Sequence, residues 1–172
     1  MTKNEVPLNC LDQYLPAGTT HIVTSYLKQH HIHLTIARQR QSILGDFRHR
    51  TIYKNHRISV NGNLNPYAFL ITLLHEIAHL LTFENYGNRV QAHGDEWKKM
   101  YGTLLHQFIT HKDENNSVFP SDIESELISL LKNPAASSCA EDGLIRVLRK
   151  YDKKTDKLYL IEELPENSVF QI

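Results

Sequence analysis

Along the first sixty residues the spacing of apolar positions changes from helical to alternating. In residues 19 to 30, TTHIVTSYLKQH, the apolar Ile22, Val23, Tyr26 and Leu27 follow the turn signal PAG and predict a first helix. IHLTIAR then alternates Ile32, Leu34 and Ile36 with His33 and Thr35, and RISVNG alternates Ile58 and Val60 around Ser59 before an Asn-Gly turn. Both read as strands, with ILGDFRHRTIY between them as a third, turned at Gly45, so a small antiparallel sheet is expected. Asn65 at a cap with Pro66 at the first helical position predicts a helix running to about Phe83. A further helix follows Gly94, from Asp95 to about Thr110, with Trp97, Met100, Tyr101, Leu104, Leu105 and Phe108 as its apolar stripe and two acids suiting its first turn. SDIESELISLLKN opens with a capping box, Ser121 with Glu124, and stops before Pro134. Residues 135 to 142 are small and polar enough to form a linker, and beyond them LIRVLRKYD, KLYLIEEL and SVFQI read as three short strands. The expected organisation is an α+β domain over residues 1–134 and a small antiparallel β appendage over 135–172.

Composition sets bounds on this picture. With 172 residues, 41% of them hydrophobic, the chain can bury one core and carry a small appendage. The opening MTKNEVPLNC does not resemble a signal peptide, and no uninterrupted apolar run reaches the roughly 18 residues that span a bilayer. A cytoplasmic protein without a membrane partner, monomeric by default, is the expectation. Cys10 and Cys139 are the only cysteines and lie far apart, which excludes a disulfide framework or a cysteine zinc knuckle within one chain. Any metal must be held by His, Asp or Glu.

Formal net charge is zero, yet the charges are segregated. Between Lys28 and Arg57, the basic Arg38, Arg40, Arg48, Arg50 and Lys54 face Asp46 alone, and Arg149 and Lys150 lie in a basic tail. Such a segment suits nucleic-acid phosphates and suits equally the wet face of exposed strands.

The chemistry concentrates in LLHEIAHLL, residues 73 to 81. Four residues of helix separate two side chains by roughly 6 Å along one face, so His75 and His79 can aim at one ion. Glu76 sits one step round, near the ion without being forced onto it, where a carboxylate can act as general base to a water acidified by zinc. Leu70, Leu73, Leu74, Ile77, Leu80 and Leu81 cluster on the opposite side of the helix, so the histidines are not part of the apolar stripe. A catalytic zinc needs a third protein ligand and an open position. Thr82 and Asn85 stand where a metzincin would carry glycine and histidine. Glu96 and Glu114 are poorly spaced for a glutamate ligand, and His93 is preferred because the loop FENYGNRVQA can bring it back and Gly94 lets the chain turn.

HExxH followed at this interval by AHGDEWKKM, with RISVNGNLNPYAFLITLL leading in, resembles the SprT-like family of zinc metalloproteases over about Leu15 to Ile109. The resemblance implies a zincin-like fold and one zinc ion on His75, His79 and His93, with Glu76 as catalytic base. It also implies a protein or peptide substrate, since animal members digest proteins crosslinked to DNA. Members often end in a zinc ribbon with two cysteine pairs. The tail here resembles that ribbon's strand pattern without its ligands, and a metal-free sheet held by Ile145, Val147, Leu158, Leu160 and Phe170 is expected.

Two functions remain in view. One is a zinc endopeptidase associated with DNA, taking an extended peptide in a groove between the strand at Arg57–Val60 and the HExxH helix. The other is a DNA-binding or DNA-repair accessory module with a structural zinc and no protease activity. Tyr86, Arg89 and Tyr101 are candidates to steady an oxyanion.

Overall fold

Asn65 decides where the longest helix begins. Its side-chain oxygen accepts the Ala68 amide at 3.0 Å and Pro66 follows at the first position, so α2 runs Pro66–Tyr86. It stops at Gly87, whose φ of 62° favours glycine and whose amide bonds the Phe83 carbonyl. The computed structural model describes residues 8–50, 55–113, 116–132 and 142–152. Around α2 stand α1 (Thr20–Gln29), β1 (Ile32–Ala37), β2 (Gly45–Arg48), β3 (His56–Asn61), α3 (Asp95–Thr110), β4 (Lys112–Asp113), β5 (Asn116–Ser117), α4 (Ser121–Lys132) and α5 (Asp142–Arg149), after a 3₁₀ turn at Leu8–Gln13.

The sheet, through β2 and β3, and α3 both pack on α2. Leu73, Leu74, Ile77 and Leu80 are fully buried between them, with Ile58, Val60, Trp97, Leu104, Leu105 and Phe108. Burying each such side chain stabilises the fold by roughly 1.5–3 kcal/mol, which is ample reason for the α2 face to dominate the core. By length and composition alone α2 could cross a membrane, but 67% of that stretch is buried within the fold.

Three strands form in the segments read as strands, but the sheet is not the antiparallel one expected. β3 lies in the middle, parallel to β1 and antiparallel to β2, so the sheet is mixed. Ile58 and Val60 make β3 the most deeply buried strand, which suits the central place, and the other two flank it. As a consequence β3 has no free edge. The groove expected beside Arg57–Val60 cannot pair a peptide there, and among the described residues the edge strands are β1 and β2.

α4 begins one residue earlier than its expected cap requires. The Glu124 amide bonds the Pro120 carbonyl, making Ser121 the first helical residue and not the capping one. LIRVLRKYD, expected as a strand, forms α5 and the turn after it. Leu144, Val147, Leu148 and Tyr151 recur at helical spacing and all pack on the core, whereas the strand reading followed Ile145 and Val147. Asn65 also donates to the Leu148 carbonyl at 2.9 Å and to Asp152 at 2.7 Å, tying α5 to the start of α2. The expected strands KLYLIEEL and SVFQI, and the boundary at residue 134, lie outside the described residues.

Candidate metal centre

One turn of α2 separates His75 from His79, and the chain returns through a turn closed by the Gly94 amide on the Gln91 carbonyl, 3.0 Å, to deliver His93 just before α3. The Nε2 of His75 lies 3.1 Å from that of His79 and 3.2 Å from that of His93. A tetrahedral ion with bonds near 2.0–2.1 Å holds its ligand nitrogens about 3.3 Å apart, so the spacing fits a small divalent cation. Ligand atoms of the three residues lie within 4.8 Å of one another, a grouping of potential ligands found nowhere else among the described residues.

The cluster refuses protons. Burial first, then repulsion from His79 and His93, pushes His75 down to about 3, and burial followed by repulsion from His93 takes His79 to about 4. Burial also lowers His93. Neutral imidazoles with facing nitrogens are what a cation needs and what three hydrogen-bonding histidines would avoid, since a neutral pair can share only one proton.

Trp97, in the first turn of α3, walls the cluster. Its ring centroid lies 4.7 Å from His75, 5.2 Å from His79 and 4.7 Å from His93, and its buried indole N–H makes no hydrogen bond among the described residues. Tyr101 stacks on Trp97 at 4.9 Å and reaches to 5.6 Å from His75. Of the other two residues expected to steady an oxyanion, Tyr86 ends α2, and Arg89 bonds the Tyr86 carbonyl. A cavity of about 620 Å³ between α3 and α4, lined among others by Lys98, Lys99, His106 and Leu130, includes none of the three histidines.

Glu76, 7% exposed, faces the sheet. A methyl group built on Gly45 would stand 2.6 Å from its Oε1, so the first residue of β2 passes directly over the carboxyl. Burial, and next the charge of Asp46, raises Glu76 to about 7, with Arg40 pulling the other way. Gly45, Asp46 and Arg40 are therefore parts of this site that HExxH spacing does not announce.

Residues 13–116 match the SprT-like family. The protein belongs to the SprT-like family. All three histidines and Glu76 fall inside the matched span, as do the three strands of the sheet. Protein SprT of Vibrio parahaemolyticus serotype O3:K6 (strain RIMD 2210633) is 42% identical over 57 residues, 31% of this chain. That alignment covers 34% of the Vibrio protein, about a third of its length. No solved structure matches.

The basic residues disperse. Arg40 is consumed internally, its guanidinium donating to Asn61, Ser59 and the Leu44 carbonyl. Arg48 holds Asp46 at 2.8 Å. Arg38, Arg50 and Arg57 are exposed, and their side chains make no hydrogen bond or salt bridge among the described residues. Arg57 is the direct cross-strand neighbour of Arg48 and of His33, on the sheet face opposite Ile58 and Val60. Arg149 is exposed on α5, and Lys150 beside it reaches Asp122 at 3.3 Å.

Proposed function

We propose that this SprT-like protein is a zinc-dependent endopeptidase acting on extended polypeptide. The convergence of three neutral imidazoles, two of them on the helix that also carries the buried Glu76 one residue after His75, carries this reading. His75, His79 and His93 would hold the ion from one side, leaving a fourth position open. When bound, the ion supplies Lewis acidity to an attacking water and to the peptide carbonyl. Glu76 takes the water's proton and passes it to the departing amide nitrogen. Its folded environment, which makes protonation near neutral pH easy, suits a group that must both accept and return a proton. Trp97 and the packed face of α2 keep the imidazoles aimed. Substrate backbone laid along the edge of β2, unpaired among the described residues, brings a carbonyl toward Glu76, because β2 crosses the carboxyl at Gly45.

Cleavage of an unfolded test protein by the zinc-loaded chain, beside Glu76→Gln, tests the assignment. Zinc content should be unchanged in the variant while turnover falls by about 10²–10⁴-fold. Cleavage retained in Glu76→Gln would end the assignment.

The exposed Arg38, Arg50 and Arg57 favour a second reading, a DNA-binding or repair accessory module with a structural zinc. Adding single-stranded DNA separates the two. Binding abolished by reversing Arg38 and Arg57, without cleavage in any condition, supports the accessory module; stimulation of cleavage supports a protease recruited to DNA.

A further inference from the structure

Among the described residues, the exposed large hydrophobic side chains are two neighbours, Ile43 and Leu44, each 44% exposed. Exposed apolar side chains are ordinary, and a pair of this size is too small to mark a contact surface on its own, so its meaning rests on where the chain holds it. Here the backbone is held. The Asn61 side chain, 1% exposed, donates to the Ile43 carbonyl at 3.0 Å and to the Arg40 carbonyl at 3.1 Å. The Asn61 amide bonds the Leu44 carbonyl at 2.9 Å, and Arg40 adds its guanidinium to Leu44, Ser59 and Asn61. With both carbonyls pinned, the loop cannot readily turn these side chains inward.

Their position in the chain gives the pair a purpose. Leu44 directly precedes Gly45, the residue that crosses the carboxyl of Glu76. Successive strand residues advance by about 3.3 Å. A peptide carbonyl within reach of Glu76 therefore has its flanking side chains within one or two residues of Leu44 and Ile43. The partner that fits an apolar pair beside a strand edge left unpaired among the described residues is an extended polypeptide carrying a bulky apolar side chain next to the scissile bond.

We infer that Ile43 and Leu44 select substrate by an apolar residue adjacent to the cut, an inference that rests on the endopeptidase reading above. Bulky apolar side chains are mostly buried in folded proteins, so such a preference confines attack to unfolded or locally opened chains. The clamp of Arg40 and Asn61 positions the pair; it does not touch substrate itself.

The test has a binding arm and a cleavage arm. In the first, zinc-loaded Glu76→Gln is titrated with a fluorescein-labelled decapeptide carrying a central Leu-Phe, and with its Ser-Ser counterpart, by anisotropy. The apolar peptide should bind about tenfold tighter, and Ile43→Ser/Leu44→Ser should erase that ratio, as expected for one apolar contact. In the second, cut sites in denatured casein are mapped by mass spectrometry for the active chain and for the serine pair. Cuts should flank apolar residues, and the pair should raise KM about tenfold and flatten the preference. Far-ultraviolet circular dichroism checks that the serine pair folds. An absent peptide preference in the binding arm, or one that survives the serine pair, overturns the inference whether or not cleavage occurs. Preference without any cleavage would sink the endopeptidase reading and leave the apolar contact standing.

Discussion

Adding one methyl group at position 45 should disable the site without emptying it. A Cβ there would lie 2.6 Å from Oε1 and 2.9 Å from Cγ of Glu76, and 2.9 Å from Cγ2 of Thr72. The carboxyl arm must shift, and displacement of a catalytic group by about 1 Å costs roughly a hundredfold in rate. Gly45→Ala is expected to keep zinc affinity, measured by competition with a chelating dye, while turnover falls about a hundredfold; turnover near the parent value would show that Glu76 has slack. The clustering of the three histidines was legible in the chain. His75 and His79 share one helical face by local spacing, and His93 follows a loop of suitable length. Gly45, Asp46 and Arg40 were not legible as site residues, because they meet Glu76 through sheet pairing between distant segments. Arg40 in particular looked like one more phosphate contact, and instead spends its donors on Asn61 and Ser59.

Among the elements, α5 carries the clearest correction. Leu144 is fully buried in the core it shares with α2 and α4, and Tyr151 meets Tyr67 at 5.1 Å and Asp122 through its hydroxyl. Leu144→Ala should cost about 2–5 kcal/mol in urea denaturation. A loss under about 0.5 kcal/mol, the level of a surface change, would mean that α5 is detachable from the rest. The segment was misread because short runs of β-branched and basic residues fit an alternating template as easily as a helical one, and only the recurrence of Leu144, Val147, Leu148 and Tyr151 separates them. The sheet teaches the same lesson. Strand positions follow from alternation, but strand order follows from which strand is most apolar on the packed face, so β3 took the centre and left β2 open beside the metal centre.

At the scale of the whole molecule, the titratable groups held wholly or partly out of water set how the metal-free fold responds to acid. His75, His79, His93 and His56 all titrate lower in the folded chain than in the unfolded one, His56 chiefly through burial, with Glu84 opposing. Their contribution is present above the unfolded value near 6.5 and is lost as pH falls toward the folded values. Glu76 acts with the opposite sign, since its folded value near 7 exceeds the unfolded value of 4.5, and it loses stability as pH rises through 7. Four groups outweigh one. The urea midpoint of the metal-free chain should fall between pH 6.5 and about 4.5, and His79→Gln should flatten the slope; a midpoint that holds or rises on acidification would contradict the assignment of these burials. The wall of the metal centre has one more consequence. Trp97 is the chain's single tryptophan, and its ring rests against all three imidazoles. Light emitted by tryptophan in this protein originates at one address, so on the zinc reading proposed above, loading the cluster is expected to change the brightness of the whole molecule. On that reading the fold would carry its own optical gauge of occupancy, readable without a label, a substrate or a partner.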